Sequence, residues 1–206
     1  MAYELRLPTL PGRPRFNAVS DRIGLCWAKR WRERVYEAAC RDLALCREEG
    51  RTFSVWCCCL EVELTYLGEA EASFLLSVEE KQARGCTDRL CWGENWDLAQ
   101  DAPILPVTFL RHTLGRRHLK PEDVLTEGRN RLSRQLWWPD RDWEERLPPW
   151  LRRVEPWRRG DVVEFALPMC TLATAAEGTP TFSLPIDHGA VPYNREKSGP
   201  HCQKGL

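Results

Sequence analysis

The chain has 206 residues, which is long enough for one domain that buries its own apolar core without disulfide bonds. Lys and Arg together number 30, as do Asp and Glu, so the formal net charge is zero. This balance excludes a whole-molecule field that would attract nucleic acid or an anionic membrane. We find no apolar run near the roughly 20 residues of a membrane span and no secretory signal, and therefore expect a cytoplasmic and/or nuclear protein with reduced thiols.

The first half of the chain predicts a long helix that follows an irregular arm. Several prolines and a glycine indicate that residues 1–19 form this arm. Residues 20–49 carry apolar side chains at spacings of three and four, the pattern of an amphipathic helix. The stripe consists of Ile23, Trp27, Trp31, Val35, Ala39, Leu43 and Cys46.

The segment FSVWCCCL at residues 53–60 starts an alternating pattern that is typical of a β-strand. Together with the next alternating segment it predicts a hairpin of 52–66 with 72–82. Alternation places Cys58 on one face of the strand and Cys57 and Cys59 on the other, so the three thiols cannot converge on one metal ion. We expect these cysteines to pack as small apolar side chains, with a metal or redox role as the alternative.

The pattern of the second half of the sequence indicates shorter helices and strands, and the whole chain is then expected to adopt an α+β fold. This fold is a single domain, 20–186, in which a mainly antiparallel sheet packs against the long N-terminal helix and one or two shorter helices. We expect residues 187–206 to form a flexible tail, because they hold little to bury. The remaining expected elements are an irregular 85–106, a strand at 104–110, a helix from Pro121 to about 138, a short helix at 141–147 and a second hairpin within 161–186.

Two cysteines and two histidines form the nearest approach to a metal-binding pattern. Zinc takes four ligands, commonly two thiolates and two imidazoles. The gap of twenty residues between the two pairs is longer than that of a zinc finger, so we expect no cofactor and keep a zinc clip between loops as an alternative. The four residues are Cys86, Cys91, His112 and His118.

Arginine and tryptophan are concentrated between residues 111 and 159, the most distinctive feature of the chain. Both residue types dominate binding hot spots, so this region predicts a surface for a protein partner. Alternatively, the tryptophans pack the core, or they stack on the bases of a single-stranded nucleic acid. The predicted anchors are Trp138, Trp143, Trp150 and Trp157, and the predicted polar contacts are Arg117, Arg152, Arg153 and Arg158.

The sequence contains no nucleotide-binding loop, no nucleophile elbow and no zinc-protease motif. We therefore expect a non-enzymatic intracellular interaction protein without a membrane span, and the composition favours a viral accessory or regulatory factor that engages a protein of its host cell. A single-stranded nucleic-acid-binding protein stabilised by zinc is the first alternative. An enzyme with a Cys/His site is the second.

Overall fold

The computed structural model describes residues 1–82, 87–131, 143–172 and 178–189, with the backbone alone for 127–131 and 143–146. The fold is α+β, as predicted. Within these residues, a five-stranded sheet packs against a long N-terminal helix, and a smaller three-stranded sheet with three short helices follows. Among the described residues, no helix combines the length and the apolar character that a membrane span requires.

The predicted irregular arm instead contains a strand and the start of the long helix. Strand β1 spans Ala2–Arg6, and helix α1 spans Pro14–Arg30. The helix continues through a π-helical turn at Trp31–Val35 into α2, Tyr36–Glu48. Proline suits the first helical position because it lacks an N–H that would need a partner there.

The start of α1 is stabilised by a residue far away in the sequence. The carboxylate of Asp101 accepts hydrogen bonds from the backbone N–H groups of Arg15 at 2.8 Å and Phe16 at 3.2 Å. It thereby satisfies two of the N–H groups that a helix start leaves without an intrahelical partner. Ser20, where the predicted helix 20–49 begins, is buried inside α1.

Four antiparallel strands and one parallel strand form the large sheet in the order β1-β2-β3-β4-β5. The predicted hairpin is confirmed, and β1 adds to it in parallel alongside β2. The prediction of irregular structure at 85–106 was wrong, because β4 continues the antiparallel ladder from β3. The strands after β1 are β2 Cys57–Leu67, β3 Glu71–Lys81, β4 Thr87–Asp97 and β5 Ala102–Ile104.

The long helix covers one face of this sheet, and the core between them is rich in aromatic side chains. Trp31 and Leu60 are fully buried there. Phe16 stacks on Phe74 with ring centroids 4.6 Å apart and meets the edge of Trp96 at 5.4 Å. These contacts confirm the prediction that the helix stripe packs on the sheet.

The C-terminal part has a core of its own. Its helices are α3 Pro106–Leu114, α4 Pro121–Arg131 and α5 Trp143–Leu151. Its strands β6 Trp157–Arg159, β7 Val162–Ala166 and β8 Thr181–Pro185 pair antiparallel in that order. The predicted strand at 104–110 is helical from Pro106 onward, whereas the hairpin within 161–186 appears as the pairing of β7 with β8.

The small sheet lies against the second face of the large sheet, beside Gly93 in the interior of β4. The backbone N–H of Gly93 donates to the carbonyl oxygen of Glu155 at 2.7 Å. The side-chain amide of Asn95 donates to the carbonyl oxygen of Pro156 at 2.8 Å. The other end of this face, where β1, β2 and β3 carry Cys57 and its neighbours, lines an open pocket.

Candidate functional site

An open pocket lies at the uncovered end of the large sheet. Its volume of about 540 Å³ falls in the range of small-ligand sites. Three adjacent strands supply its walls, so the side chains are held on rigid backbone. We call it the thiol pocket, and its lining residues are Ala2, Tyr3, Glu4, Cys57, Cys58, Cys59, Glu79 and Lys81.

The three consecutive cysteines of β2 have different environments because successive strand residues point to opposite faces. Cys57 is exposed and Cys59 is half-buried, both on the face that the long helix leaves uncovered. Cys58 points to the helix-covered face, where it packs in the cluster of Trp31 and Leu60. Burial, with the nearby Glu80 carboxylate, raises the pKa of Cys58 to about 12. Cys58 is therefore a packing thiol, whereas the other two are accessible.

Carboxylates flank Cys59 on both neighbouring strands. The strand register places Glu4 on one side of Cys59 and Glu79 on the other. Burial raises the pKa of the Cys59 thiol, and these two carboxylates raise it further, while the Arg6 guanidinium opposes them. The register places Cys57 between Ala2 and Lys81. The pocket therefore presents two thiols beside two acidic groups.

Two predicted binding residues are held inside the protein by its own contacts. Trp157 is 1% exposed, and its indole N–H donates to Glu164 Oε2 at 2.7 Å. The Arg158 guanidinium carbon lies 3.7 Å from the centroid of the Tyr66 ring, and Nη1 of the same group donates to Glu71 Oε1 at 2.9 Å. These contacts leave Trp157 no exposed ring for a partner, so its prediction as an anchor was wrong and the core-packing alternative holds for it.

The other residues predicted to contact a partner include several whose side chains reach solvent. Trp150 is 38% exposed, and with Arg153 it lines a cavity of about 120 Å³ beside β4. Arg117 and Arg152 are exposed. Trp138 lies outside the described residues, and only the backbone of Trp143 is described. A binding role for these residues stays a prediction.

The residues of the predicted zinc clip lie on separate elements. Cys91 lies in β4, where burial raises the pKa of its thiol. His112 lies in α3, and His118 follows that helix and is exposed. Cys86 lies outside the described residues. Across 1–82, 87–131, 143–172 and 178–189, no three His, Cys, Asp or Glu side chains form a group that could hold a metal ion. The zinc clip stays a prediction.

Two further carboxyl groups lie near the junction of the two sheets. Glu94 and Glu155 both line a cavity of about 140 Å³ that ends at the start of α3. Burial raises the pKa of both carboxyl groups, and the charge of Glu155 adds to the effect on Glu94. Each carboxyl group therefore binds its proton more tightly than a solvated one would.

These features define an α+β protein with an accessible thiol pair. No family model matches the chain, and no curated protein matches it in sequence. The fold resembles two solved bacterial structures of the DUF3298 family. The structure from Pseudomonas aeruginosa is 10% identical with a TM-score of 0.38, and the match covers 66% of this chain and 65% of that one, just under two thirds. The structure from Bacteroides fragilis is 11% identical with a TM-score of 0.43, and the match covers 85% of this chain and 67% of that one.

The comparisons contradict one prediction from the sequence. We expected a viral accessory or regulatory factor that engages a protein of its host cell. The solved structures that the fold resembles are bacterial, so this prediction was wrong. The likeness concerns the fold alone. The alternatives of nucleic-acid binding and of a Cys/His enzyme stay predictions.

Proposed function

We propose that the protein binds a soft metal cation of the Cu(I) class in the thiol pocket, with the sulfur atoms of Cys57 and Cys59 as ligands. The observation that carries this proposal is the position of the two thiols. They lie two residues apart on the same face of β2, within a pocket of about 540 Å³ that opens to solvent. Soft thiolate ligands favour soft cations such as Cu(I).

The strand geometry brings the two sulfur atoms within reach of one ion. Residues two apart on a strand have Cα atoms separated by roughly 6.6 Å, and their side chains stand on the same side. Rotation about χ1 between staggered positions turns both sulfur atoms toward the space between them. Two thiolates suit a cation that accepts few soft ligands better than they suit zinc, which takes four.

The charge around the pair favours a cation over an anion. Glu4 and Glu79 flank Cys59, and both line the pocket. Each of these carboxylates is paired with an arginine, Arg6 or Arg89. Lys81 on the same pocket wall therefore offsets the net negative charge that two thiolates and one monovalent cation carry together. The pocket therefore holds both the ligands and a counter-charge for the complex.

Titration with cuprous ion against a competing chelator tests the proposal. We expect one tightly bound ion per chain. Replacing Cys57 or Cys59 by serine removes one of two ligands, so each variant should bind at least about tenfold more weakly, a loss of about 1.4 kcal/mol. Cys26→Ser is the matched control, because Cys26 is an exposed thiol on α1 outside the pocket. Wild-type affinity in the double variant Cys57→Ser/Cys59→Ser would refute the proposal.

The same titration predicts a dependence on pH. The cation binds the thiolate, so binding releases the thiol proton. Burial and the flanking carboxylates raise the pKa of Cys59. Affinity should therefore fall on acidification and should still be rising above pH 8.5, roughly the pKa of an ordinary thiol. An affinity independent of pH in the wild type would contradict the proposed ligand set.

A further inference from the structure

Strand β1 forms one edge of the large sheet, and its outer side has unpaired backbone groups. It pairs with β2 on its inner side alone. The N–H of Ala2 donates to the carbonyl oxygen of Trp56 at 2.9 Å, so Ala2 directs its backbone groups inward. In a parallel ladder, alternate residues bond to the neighbouring strand. Tyr3 and Leu5 therefore direct their N–H and C=O groups outward, and no other strand among the described residues pairs with them.

The charged side chains of β1 are arranged symmetrically about Leu5. Glu4 precedes Leu5 and Arg6 follows it, and both are exposed on the same face of the strand. Arg6 Nε and Nη2 donate to the two carboxylate oxygens of Glu4 at 2.9 and 3.0 Å. When such a strand pairs antiparallel with its own copy about Leu5, each Glu4 comes to lie directly opposite the Arg6 of the second copy.

We propose that two copies of the chain associate through β1. The two β1 strands pair antiparallel, so that the two large sheets become one continuous sheet. The partner of this edge is a second copy, because the outward backbone groups and the charge pattern of β1 are each self-complementary. The outward groups of Leu5 match those of the second Leu5, and the Glu4–Arg6 pair matches itself after a two-fold rotation. A two-fold axis that places the same patch on both subunits is the commonest symmetry of soluble oligomers.

The pairing geometry brings the charges close together. In an antiparallel ladder, the two Leu5 residues form a hydrogen-bonded pair that exchanges both N–H···O bonds. The adjacent Glu4 and Arg6 positions are then non-hydrogen-bonded pairs, whose Cβ atoms lie about 4.5–5.5 Å apart. Four side chains of alternating charge meet across the axis. Opposite charges at such positions stabilise a strand pair, and like charges destabilise it.

The association would also bring the two thiol pockets together. Ala2, Tyr3 and Glu4 of β1 line the pocket in each copy. The pockets would therefore lie on the same continuous sheet, on either side of the two-fold axis. The inference does not depend on the proposed cation, because the backbone groups and the charges act without it.

Charge exchange tests the side-chain part of the proposal. The molecular mass of the metal-free full chain is measured by analytical ultracentrifugation over a wide range of concentrations. We expect a concentration-dependent dimer for the wild type. Glu4→Arg or Arg6→Glu alone places like charges opposite each other, so each should shift the equilibrium toward the monomer by at least about tenfold in dissociation constant. The double exchange E4R/R6E restores alternating charges and should restore the dimer.

A proline substitution tests the backbone part. Leu5→Pro removes the outward N–H that the two copies exchange, without removing a hydrogen bond to β2, and proline is tolerated on an edge strand whose N–H faces solvent. Leu5→Ala is the matched control, because both variants lose the side chain that packs against the Trp31 cluster but alanine keeps the N–H. We expect a dimer for Leu5→Ala and a monomer for Leu5→Pro, with circular dichroism confirming that both are folded.

The outcomes separate this inference from the proposed cation site. A wild-type chain that stays monomeric at every concentration would overturn the inference, as would single charge variants that dimerise like the wild type. A dimer in Leu5→Pro would also overturn it. The molecular mass is measured on metal-free protein. A protein that dimerises but binds no cuprous ion would therefore support the inference and refute the proposed cation site.

Discussion

The three consecutive cysteines of β2 show how much the position of a residue decides its chemistry. Cys58 lies against Trp31 under the long helix, and burial raises the pKa of its thiol to about 12. Cys57, one position earlier, is exposed on the opposite face. The thiolate is the reactive form, so a thiol with a strongly raised pKa is inert at neutral pH. The reactive thiols of this segment are therefore those on the face that the long helix leaves uncovered, Cys57 and Cys59.

Glu94 allows a prediction about the pH dependence of stability. Its pKa is raised by burial and by Glu155, so the folded protein binds this proton more tightly than the unfolded chain does. The contribution of Glu94 to folding stability is consequently greatest in acid and falls as the pH rises through the ordinary glutamate pKa of about 4.3 toward the folded value.

Replacing Glu94 by glutamine should remove this loss. The neutral amide has no charge to desolvate, so the variant should melt at a higher temperature than the wild type at neutral pH and near the same temperature in acid. Thermal unfolding measured at both pH values checks this expectation. Glu48→Gln, at an exposed position of α2, is the control and should change little. A lower melting temperature of Glu94→Gln at neutral pH would contradict the prediction.

At the scale of elements, the contact between β4 and the segment before β6 depends on a glycine. A Cβ atom at Gly93 would overlap the carbonyl oxygen of Pro156 and crowd the side chain of Trp157. The missing side chain lets the Gly93 N–H reach the carbonyl oxygen of Glu155. Glycine in a strand interior often marks such a close approach of two backbones.

Gly93→Ala should therefore separate the two sheets locally. Both obstructing neighbours belong to packed structure, since Trp157 is buried, so they cannot move aside freely. Overpacking of this kind costs typically about 1–3 kcal/mol. Urea unfolding should show a loss of that size, and the exchange protection of the Gly93–Glu155 hydrogen bond should fall. An unchanged free energy of unfolding would show that the junction yields without cost.

At the scale of the whole molecule, two arginines tie the small sheet to the large one. Arg158 bonds to Glu71 and covers the ring of Tyr66, and its backbone N–H donates to Ser73 Oγ at 2.7 Å. Arg159 forms a two-point contact with Glu63 at 2.7 and 3.1 Å. Arginine suits such sites because its planar group combines paired hydrogen bonds with stacking on an aromatic ring.

Arg158→Ala should lower the stability of the whole chain. The variant loses a hydrogen bond to a charged group, worth about 1.5–3 kcal/mol, and the contact with Tyr66. Arg152→Ala removes the same side chain from an exposed position and should change the free energy of unfolding by less than about 0.5 kcal/mol. Chemical unfolding of both variants checks the contrast. Equal effects would show that Arg158 does not couple the sheets.

The sequence by itself determined the elements whose apolar pattern is local and strong. The stripe from Ile23 to Cys46 predicts the helix, and alternation predicts the hairpin of β2 with β3. Alternation also separated Cys58 from Cys57 and Cys59. The same pattern held a signal for the thiol pocket, because Cys57 and Cys59 share their face with Glu61 and Glu63, a polar face that the chain has little reason to bury.

The tertiary structure decided what depends on residues distant in the sequence. Helix α1 begins at Pro14 because Asp101 caps it, and no local pattern contains that contact. Strand β1 forms by pairing with β2, more than fifty residues away. Trp157 is buried because β7 supplies Glu164 for its N–H, whereas Trp150 reaches solvent. Side-chain type predicts what a residue can bond, but which partner lies beside it follows only from the packing of the whole chain.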